Sequence, residues 1–179
     1  MRKTIALAIT AATTAGLAAF VPATANAASG TTPVTFTLTG GALSLTVPSA
    51  TATLTGGALS VTGSSVTGQL GNTTVSDARG LLTATDTVTM STTDFTDVQG
   101  DTVPAAGNAT GFSGAATPTG TAVPVPTLVG QNIAGTGSAI LTIAVVGSGG
   151  ASYNPTVSVA IPAGAVAGTY TGTVTQSVS

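Results

Sequence analysis

The sequence predicts an all-β protein, and three observations support this. Threonine and valine alternate with apolar residues in several segments, and a period of two is typical of strands with one buried face. Gly-Gly, Gly-Asn and proline-rich breaks separate these segments at hairpin-like intervals. After residue 27, no segment shows the periodicity of a helix. Short strands at this spacing favour a β-sandwich with Greek-key or immunoglobulin-like character.

The first 27 residues predict a cleaved secretory signal peptide. Arg2 and Lys3 precede an apolar run at residues 5–21, and an Ala-Asn-Ala site ends at Ala27. A positive start, an apolar middle and small residues before the cleavage site are the parts that an export signal needs. We therefore expect a secreted, extracellular mature chain of residues 28–179, with no transmembrane anchor after signal cleavage.

Six segments show the clearest alternation and are the expected strands. In order they are VTFTLTG (34–40), ALSLTV (42–47), TATDTVTM (83–90), AILTIAVV (139–146), TVSVAI (156–161) and TYTGTVTQSV (169–178). The sequence LTGGALSLT at 38–46 returns as LTGGALSVT at 54–62, which suggests two copies of one hairpin. Residues 102–130 are rich in Pro, Gly and Thr, so we expect them to form a long excursion from a single domain at residues 28–179.

Composition excludes most catalytic chemistry. After residue 27 the chain has no Cys, His, Trp, Glu or Lys, so Ser-His-Asp, Cys-His, Schiff-base and ordinary zinc sites cannot be built. Because Arg79 is the only base there, no basic surface exists for nucleic acid. The Asp-Thr pairs at Asp86 and Asp101 are each followed by valine instead of the glycine of aspartic proteases. We expect a protein that is not an enzyme and needs no cofactor.

All five aspartates lie within residues 77–101. Asp94, Asp97 and Asp101 stand close together in TTDFTDVQGD and are weak calcium candidates, because carboxylates and loop carbonyls are ligands for this ion. Their spacing does not match an EF-hand loop, and no glutamate is available as a bidentate ligand. Turn capping by the three carboxylates is the interpretation we favour.

The segment GNTTVSDARG contains an Asp-x-Arg-Gly sequence with no nucleophile or base beside it. Asp77 and Arg79 are two residues apart, so their side chains emerge on one face of a strand. The planar guanidinium would bind Asp77, another aspartate of the 86–101 group, or carbonyl groups at strand ends. We therefore expect a structural role for Asp77, Arg79 and Gly80, together with Tyr170.

Three motifs resemble the WxL-type surface domains of Gram-positive bacteria. They are VSDARG (75–80), TATDTVTMSTTDFT (83–96) and IPAGAVAGTYTGTVTQSVS (161–179), which follow one another in the order found in that family. The chain looks most like actinobacterial relatives. The resemblance extends from about Phe36 to the end of the sequence, and its C-terminal part is the most specific. It implies a secreted, non-catalytic, β-rich domain that attaches non-covalently to the cell wall.

The chain departs from this family at the two Trp-x-Leu motifs that give the family its name and are associated with peptidoglycan binding. Leu81 and Leu82 stand near the first motif, and Gln176, Ser177 and Val178 stand near the second. A tryptophan ring supplies a broad, rigid face and an N–H donor for sugars, which neither leucine nor glutamine supplies. The departure weakens the inference about peptidoglycan more than the inference about the scaffold.

Three functional classes remain as expectations. The first is a cell-surface or cell-wall-associated sandwich with a structural or interaction role, whose partner is peptidoglycan or another wall polymer. The second is a subunit of an extracellular fibre or coat that self-associates by β-strand addition, which low charge and a Thr-rich segment at 31–39 favour. The third is a carbohydrate-binding module with Tyr153, Tyr170 and Phe112 as platforms, for which core packing is the alternative role.

Overall fold

The computed structural model describes residues 32–179, which form thirteen β-strands and no helix. The predicted signal peptide, residues 1–27, lies outside the described residues. Thr37–Ser179 is a compact unit, and the few described residues before it belong to a separate unit. The all-β prediction is confirmed, because the described residues form paired strands and no helix.

The larger sheet has six strands arranged around two long ones. In chain order they are β1 (Leu43–Thr46), β4 (Thr73–Thr92), β8 (Ala116–Gly120), β9 (Val123–Pro126), β11 (Ser138–Tyr153) and β13 (Val174–Val178). β4 and β11 run antiparallel along most of their lengths. β1 and β13 pair with opposite halves of β4, while β8 and β9 pair with opposite halves of β11. Each long strand therefore has two short neighbours on its outer side.

The second sheet has five strands. Across the sheet they are β10 (Gln131–Asn132), β7 (Ala109–Phe112), β12 (Thr156–Ile161), β3 (Ser64–Gln69) and β2 (Thr55–Gly56). All of its neighbours are antiparallel. A small third sheet consists of β5 (Phe95–Thr96) and β6 (Thr102–Val103).

The two main sheets contribute to one hydrophobic core. Its most deeply buried side chains come from both sheets and from the loop after β10, and include Val88, Met90, Ile133, Ile140, Ile143 and Val157. The sheets approach closely at Gly111 of β7, where a Cβ atom would lie 2.7 Å from Met90 Sδ. Burying each large apolar side chain contributes about 1.5–3 kcal/mol. The arrangement is consistent with a β-sandwich.

Residues 102–130 differ from the expected excursion, because they hold β6, β7, β8 and β9. β7 lies inside the second sheet, and Val103 and Ala109 are part of the buried core. Three of the four prolines of this stretch, Pro118, Pro124 and Pro126, occupy β8 and β9, each of which pairs on one side only, with β11. Proline is tolerated on such edge strands because its missing N–H faces away from the ladder. High proline content therefore marked a sheet edge rather than a loop.

The segment 34–40, expected as the first strand, is not a strand. Its apolar residues Val34, Phe36 and Leu38 are 83%, 81% and 86% exposed. Alternation supplies the face that a strand needs, but a strand also needs a partner. The described residues of this chain supply none.

The two copies of the nine-residue repeat do not form the same hairpin. The first copy leads into β1, and the N–H of Gly41 donates to the carbonyl of Ala78 at 2.6 Å. A Cβ atom at Gly41 would lie 2.9 Å from the Cβ of Ala78, so glycine permits this close approach. The second copy contains β2, and Gly56 and Gly57 have φ values of +105° and +72°. There the same dipeptide adopts positive φ values, a backbone conformation that favours glycine.

Candidate functional site

β4 bulges at its middle, in the Asp-x-Arg-Gly sequence. Gly149 of β11 faces Asp77, and Gly147 faces Leu81, so two steps along β11 match four steps along β4. Gly80 lies in this bulge with a φ of +72°, a conformation that favours glycine. The bulge changes the direction of β4, which brings together side chains that a straight strand would keep far apart.

Arg79 joins two aspartates across this bulge. Its Nε and Nη2 atoms donate to Oδ1 and Oδ2 of Asp77, each at 2.9 Å, and Nη2 also donates to Oδ1 of Asp86. Asp77 is 1% exposed and Asp86 is completely buried, whereas the Arg79 side chain is 32% exposed. The structure thus uses two of the acceptors that the sequence offered as alternatives, Asp77 and an aspartate of the 86–101 group.

The two carboxyl groups have opposite pKa shifts. The side-chain hydrogen bond from Arg79 holds the pKa of Asp77 below its usual value, although burial opposes this. Burial raises the pKa of Asp86, and the negative charge of Asp77 adds to that increase. Oδ2 of Asp86 is buried and has no hydrogen-bond partner. Asp86 is therefore the carboxyl group of this pair that takes up a proton first as the pH falls.

The cluster of Asp77, Arg79 and Asp86 has the chemistry of a group that stabilises the fold. It combines two carboxyl groups and one guanidinium, and neither carboxyl group is accessible to a substrate. Within residues 32–179, no group of three or more His, Cys, Asp or Glu residues is placed to hold a metal ion. The cluster instead stabilises the bulge, because one guanidinium binds carboxylates that precede and follow Gly80.

The other aspartates accept hydrogen bonds from backbone groups. Oδ1 of Asp97 accepts from the N–H groups of Gln99 and Asp101, at 3.0 and 2.8 Å. Oδ1 of Asp94 accepts from the N–H of Ala105 at 2.7 Å. These are the bonds expected of carboxylates that cap turns. The calcium hypothesis for Asp94, Asp97 and Asp101 gains no ligand cluster in the described part of the chain.

The aromatic candidates differ in accessibility. Tyr153 is only 2% exposed, and its hydroxyl donates to Oε1 of Gln176 at 2.9 Å. Its ring packs in the core, so it cannot serve as a platform for a sugar. Tyr170 is half-buried, and its hydroxyl donates to the carbonyl of Val166 at 2.9 Å. Phe112 is also half-buried.

The two positions where the resemblance to WxL-type domains would place tryptophan motifs lie in unlike surroundings. Leu81 and Leu82 follow the bulge and are 45% and 86% exposed. Gln176 is half-buried on β13, where its Nε2 lies 3.4 Å from the hydroxyl oxygen of the buried Thr73. The first position therefore presents apolar surface to solvent, and the second takes part in internal packing.

A cavity beside β13 was not foreseen from the sequence. It has a volume of about 330 Å³ and lies between residues 47–54 and residues 172–176. Its apolar lining includes Leu54, Leu70, Val157 and Val174. The residues that line it come from both main sheets and from loops with no periodic pattern, so no sequence signal marked it.

Residues 32–179 contain no helix, and accordingly none that could cross a membrane. Comparisons of the chain with protein-family models, with curated proteins and with solved structures find no match. The resemblance to WxL-type domains therefore stays a prediction from the motifs quoted above.

Proposed function

We propose that this protein is a secreted, non-catalytic cell-surface β-sandwich that acts by non-covalent contact with a polymer of the cell wall. One observation carries the proposal: the only guanidinium of the described chain is bound to two buried aspartates. The only cation of the described chain and two of its aspartates are therefore engaged with one another inside the fold. What remains outside is a surface rich in threonine, serine and glycine, which suits neutral hydrogen bonding more than catalysis.

The resemblance to WxL-type domains of actinobacterial, Gram-positive origin supports the wall as the partner. Peptidoglycan is the polymer that the resemblance names first. Leu81 and Leu82 support contact near the first missing motif, because they expose apolar surface next to a rigid bulge. For the fold, we propose a Greek-key order, since strand neighbours such as β4 and β11 come from distant parts of the sequence.

A pelleting experiment tests this function. The chain of residues 28–179 is mixed with purified Gram-positive sacculi and centrifuged, and we expect most of the protein in the pellet. Leu82→Ser should reduce the pelleted fraction several-fold, because it removes exposed apolar surface at the bulge. Val61→Ser is the matched control, since Val61 is exposed to a similar extent. Protein that stays in the supernatant at low and moderate salt would contradict the proposal.

A second candidate is a subunit of an extracellular fibre or coat that assembles by β-strand addition. The observation that favours it is the exposed apolar face of residues 34–38, which pairs with no strand in the described chain. Fractionating a culture into medium, wall and membrane separates the two candidates in part, because a fibre subunit would also be found in high-molecular-weight material.

A further inference from the structure

Residues 33–39, PVTFTLT, form a segment that we name the arm. Val34, Phe36 and Leu38 alternate along it, so in an extended chain they lie on one face. All three side chains are among the most exposed large apolar groups of the described chain. No backbone hydrogen bond joins the arm to another described residue. A contiguous exposed apolar face of this kind is typical of an interaction surface.

Most edges of the two main sheets are protected against added strands. β8 and β9 carry Pro118, Pro124 and Pro126, whose missing N–H groups interrupt pairing. β10 and β2 are two residues long, which is too short for a stable added strand. β1 and β13 are different, because neither carries a proline or a charged side chain, and β13 is the longer of the two, with five residues against four.

Backbone groups of β13 are free on its outer side. The N–H and C=O of Ser179 both bond to Thr87 of β4. Because the bonding direction alternates along an antiparallel strand, the N–H and C=O groups of Val174, Gln176 and Val178 point away from β4. In the described chain none of these groups has a hydrogen-bond partner. β13 therefore offers the ladder that a further strand requires.

The cavity of about 330 Å³ lies beside this free edge. Val174 belongs to both, and Leu54, Leu70 and Val157 continue the apolar lining. A strand that pairs with β13 would direct alternate side chains toward this cavity. Seven extended residues span about 23 Å, which exceeds the length of β13. Neither the arm nor the lining carries a charged side chain, so no charge has to be desolvated.

We propose that the arm of one copy pairs with β13 of a second copy and places Val34, Phe36 and Leu38 in its cavity. This rests on the second candidate function and names its donor, its acceptor and its partner. The donor and acceptor surfaces are different parts of the chain, so each copy can both give and receive an arm. A head-to-tail contact of this kind extends into a filament unless its rotation closes the copies into a ring.

Two variants of the chain of residues 28–179 test the proposal by complementation. Phe36→Asp puts a charge on the apolar face of the arm, and Val174→Pro removes an outward N–H of β13 without removing a bond to β4. We expect wild type to form concentration-dependent polymers in size-exclusion chromatography with light scattering, and each variant alone to be monomeric. An equal mixture should give a 1:1 complex and nothing larger, because one arm and one edge remain functional.

A matched control and a peptide complete the experiment. Thr35→Asp puts the same charge on the opposite face of the arm and should assemble like wild type. If Val174→Pro does not fold, a synthetic peptide of residues 32–40 is titrated into the Phe36→Asp chain. We expect this peptide to bind with 1:1 stoichiometry. The same peptide with Phe36→Asp should bind with at least tenfold lower affinity.

Assembly of Phe36→Asp like wild type, or a peptide that does not bind, would overturn the proposal. A wild-type chain that is monomeric at millimolar concentration would overturn it too, even where the peptide binds the Phe36→Asp chain. Failure here leaves the wall-binding proposal intact, because sacculus pelleting is measured separately on the monomeric Phe36→Asp chain.

Discussion

The middle of β4 buries charged side chains, whereas the arm before β1 exposes apolar ones. Asp77 and Asp86 are charged groups in the interior, while Phe36 is a large apolar group in solvent. The interior charges are compensated, since Arg79 binds both carboxyl groups within the same strand. Within residues 32–179, the exposed apolar face of the arm has no such compensation. The charged cluster is therefore satisfied within the fold, whereas the arm is the surface that the proposed assembly would cover.

Of the two regions compared, the charged cluster should matter more for stability, and replacing Arg79 should lower the stability most. Arg79→Ala leaves two buried carboxyl groups without a cation, so we expect the melting temperature to fall by on the order of 10 °C. Arg79→Lys keeps the charge but loses the planar fork, so its melting temperature should lie between those of the alanine variant and wild type. Thermal unfolding followed by circular dichroism measures both. An unchanged melting temperature in Arg79→Ala would remove the structural role of the cluster.

The bulge can be tested apart from the charges. Gly80→Ala should lower the free energy of unfolding by about 1–2 kcal/mol, because its positive φ of +72° is unfavourable for a residue with a Cβ atom. Gly164→Ala is the control: a Cβ atom there meets nothing within 4 Å, and no positive φ restricts it. Urea unfolding of the two variants gives the comparison. Equal values would show that the bulge does not need glycine.

The opposite pKa shifts predict a maximum in stability near pH 4. Asp86 has a raised folded-state pKa, so the free energy of unfolding should fall as the pH rises above about 4, the unfolded value of an aspartate. Asp77 has a lowered pKa, so its contribution is lost as the pH falls below about 4. Urea unfolding at a series of pH values between pH 2.5 and pH 7 measures the curve.

Two variants assign the limbs of that curve. Asp86→Asn should flatten the decline above the maximum, and Asp77→Asn should flatten the decline below it. A curve that rises steadily from acid to neutral pH in wild type would contradict the proposed order of protonation.

The arm should give the smallest effect on stability. Phe36→Asp is expected to change the free energy of unfolding by less than about 0.5 kcal/mol, because the side chain contributes nothing to the core. Dilute samples are needed so that wild type is compared as a monomer. A large loss of stability would mean that the arm belongs to the fold of its own chain.

Local patterns predicted some elements well and others poorly. TVSVAI at 156–161 is β12 residue for residue, because its alternation coincides with a central strand that is buried on one face. VTFTLTG has equally clear alternation and is no strand, because pairing depends on a neighbour that alternation does not specify. The 20-residue length of β4 was also missed, since Gly80 and Leu81-Leu82 interrupt the pattern inside it.

The charged cluster was only half predictable. The separation of two residues placed Asp77 and Arg79 on one face, and the structure joins them. Asp86 was one of several acceptors, seven residues further along the strand. Its selection depends on the bulge, which is visible only in the register with β11. Tyr153 shows the same limit, because nothing local distinguishes a core tyrosine from a binding platform.

Composition and periodicity by themselves determined the all-β class and showed that the side chains of the usual catalytic sites are absent after residue 27. These two conclusions depend only on which side chains are present and how they alternate. The tertiary structure decided which strands meet, which copy of the repeat enters which sheet, and which aspartate Arg79 reaches. These depend on contacts between residues far apart in the chain, such as Gly41 with Ala78 and Gly149 with Asp77. The local sequence restricts which contacts of this kind are possible. Packing of the whole chain then decides which of the possible contacts form.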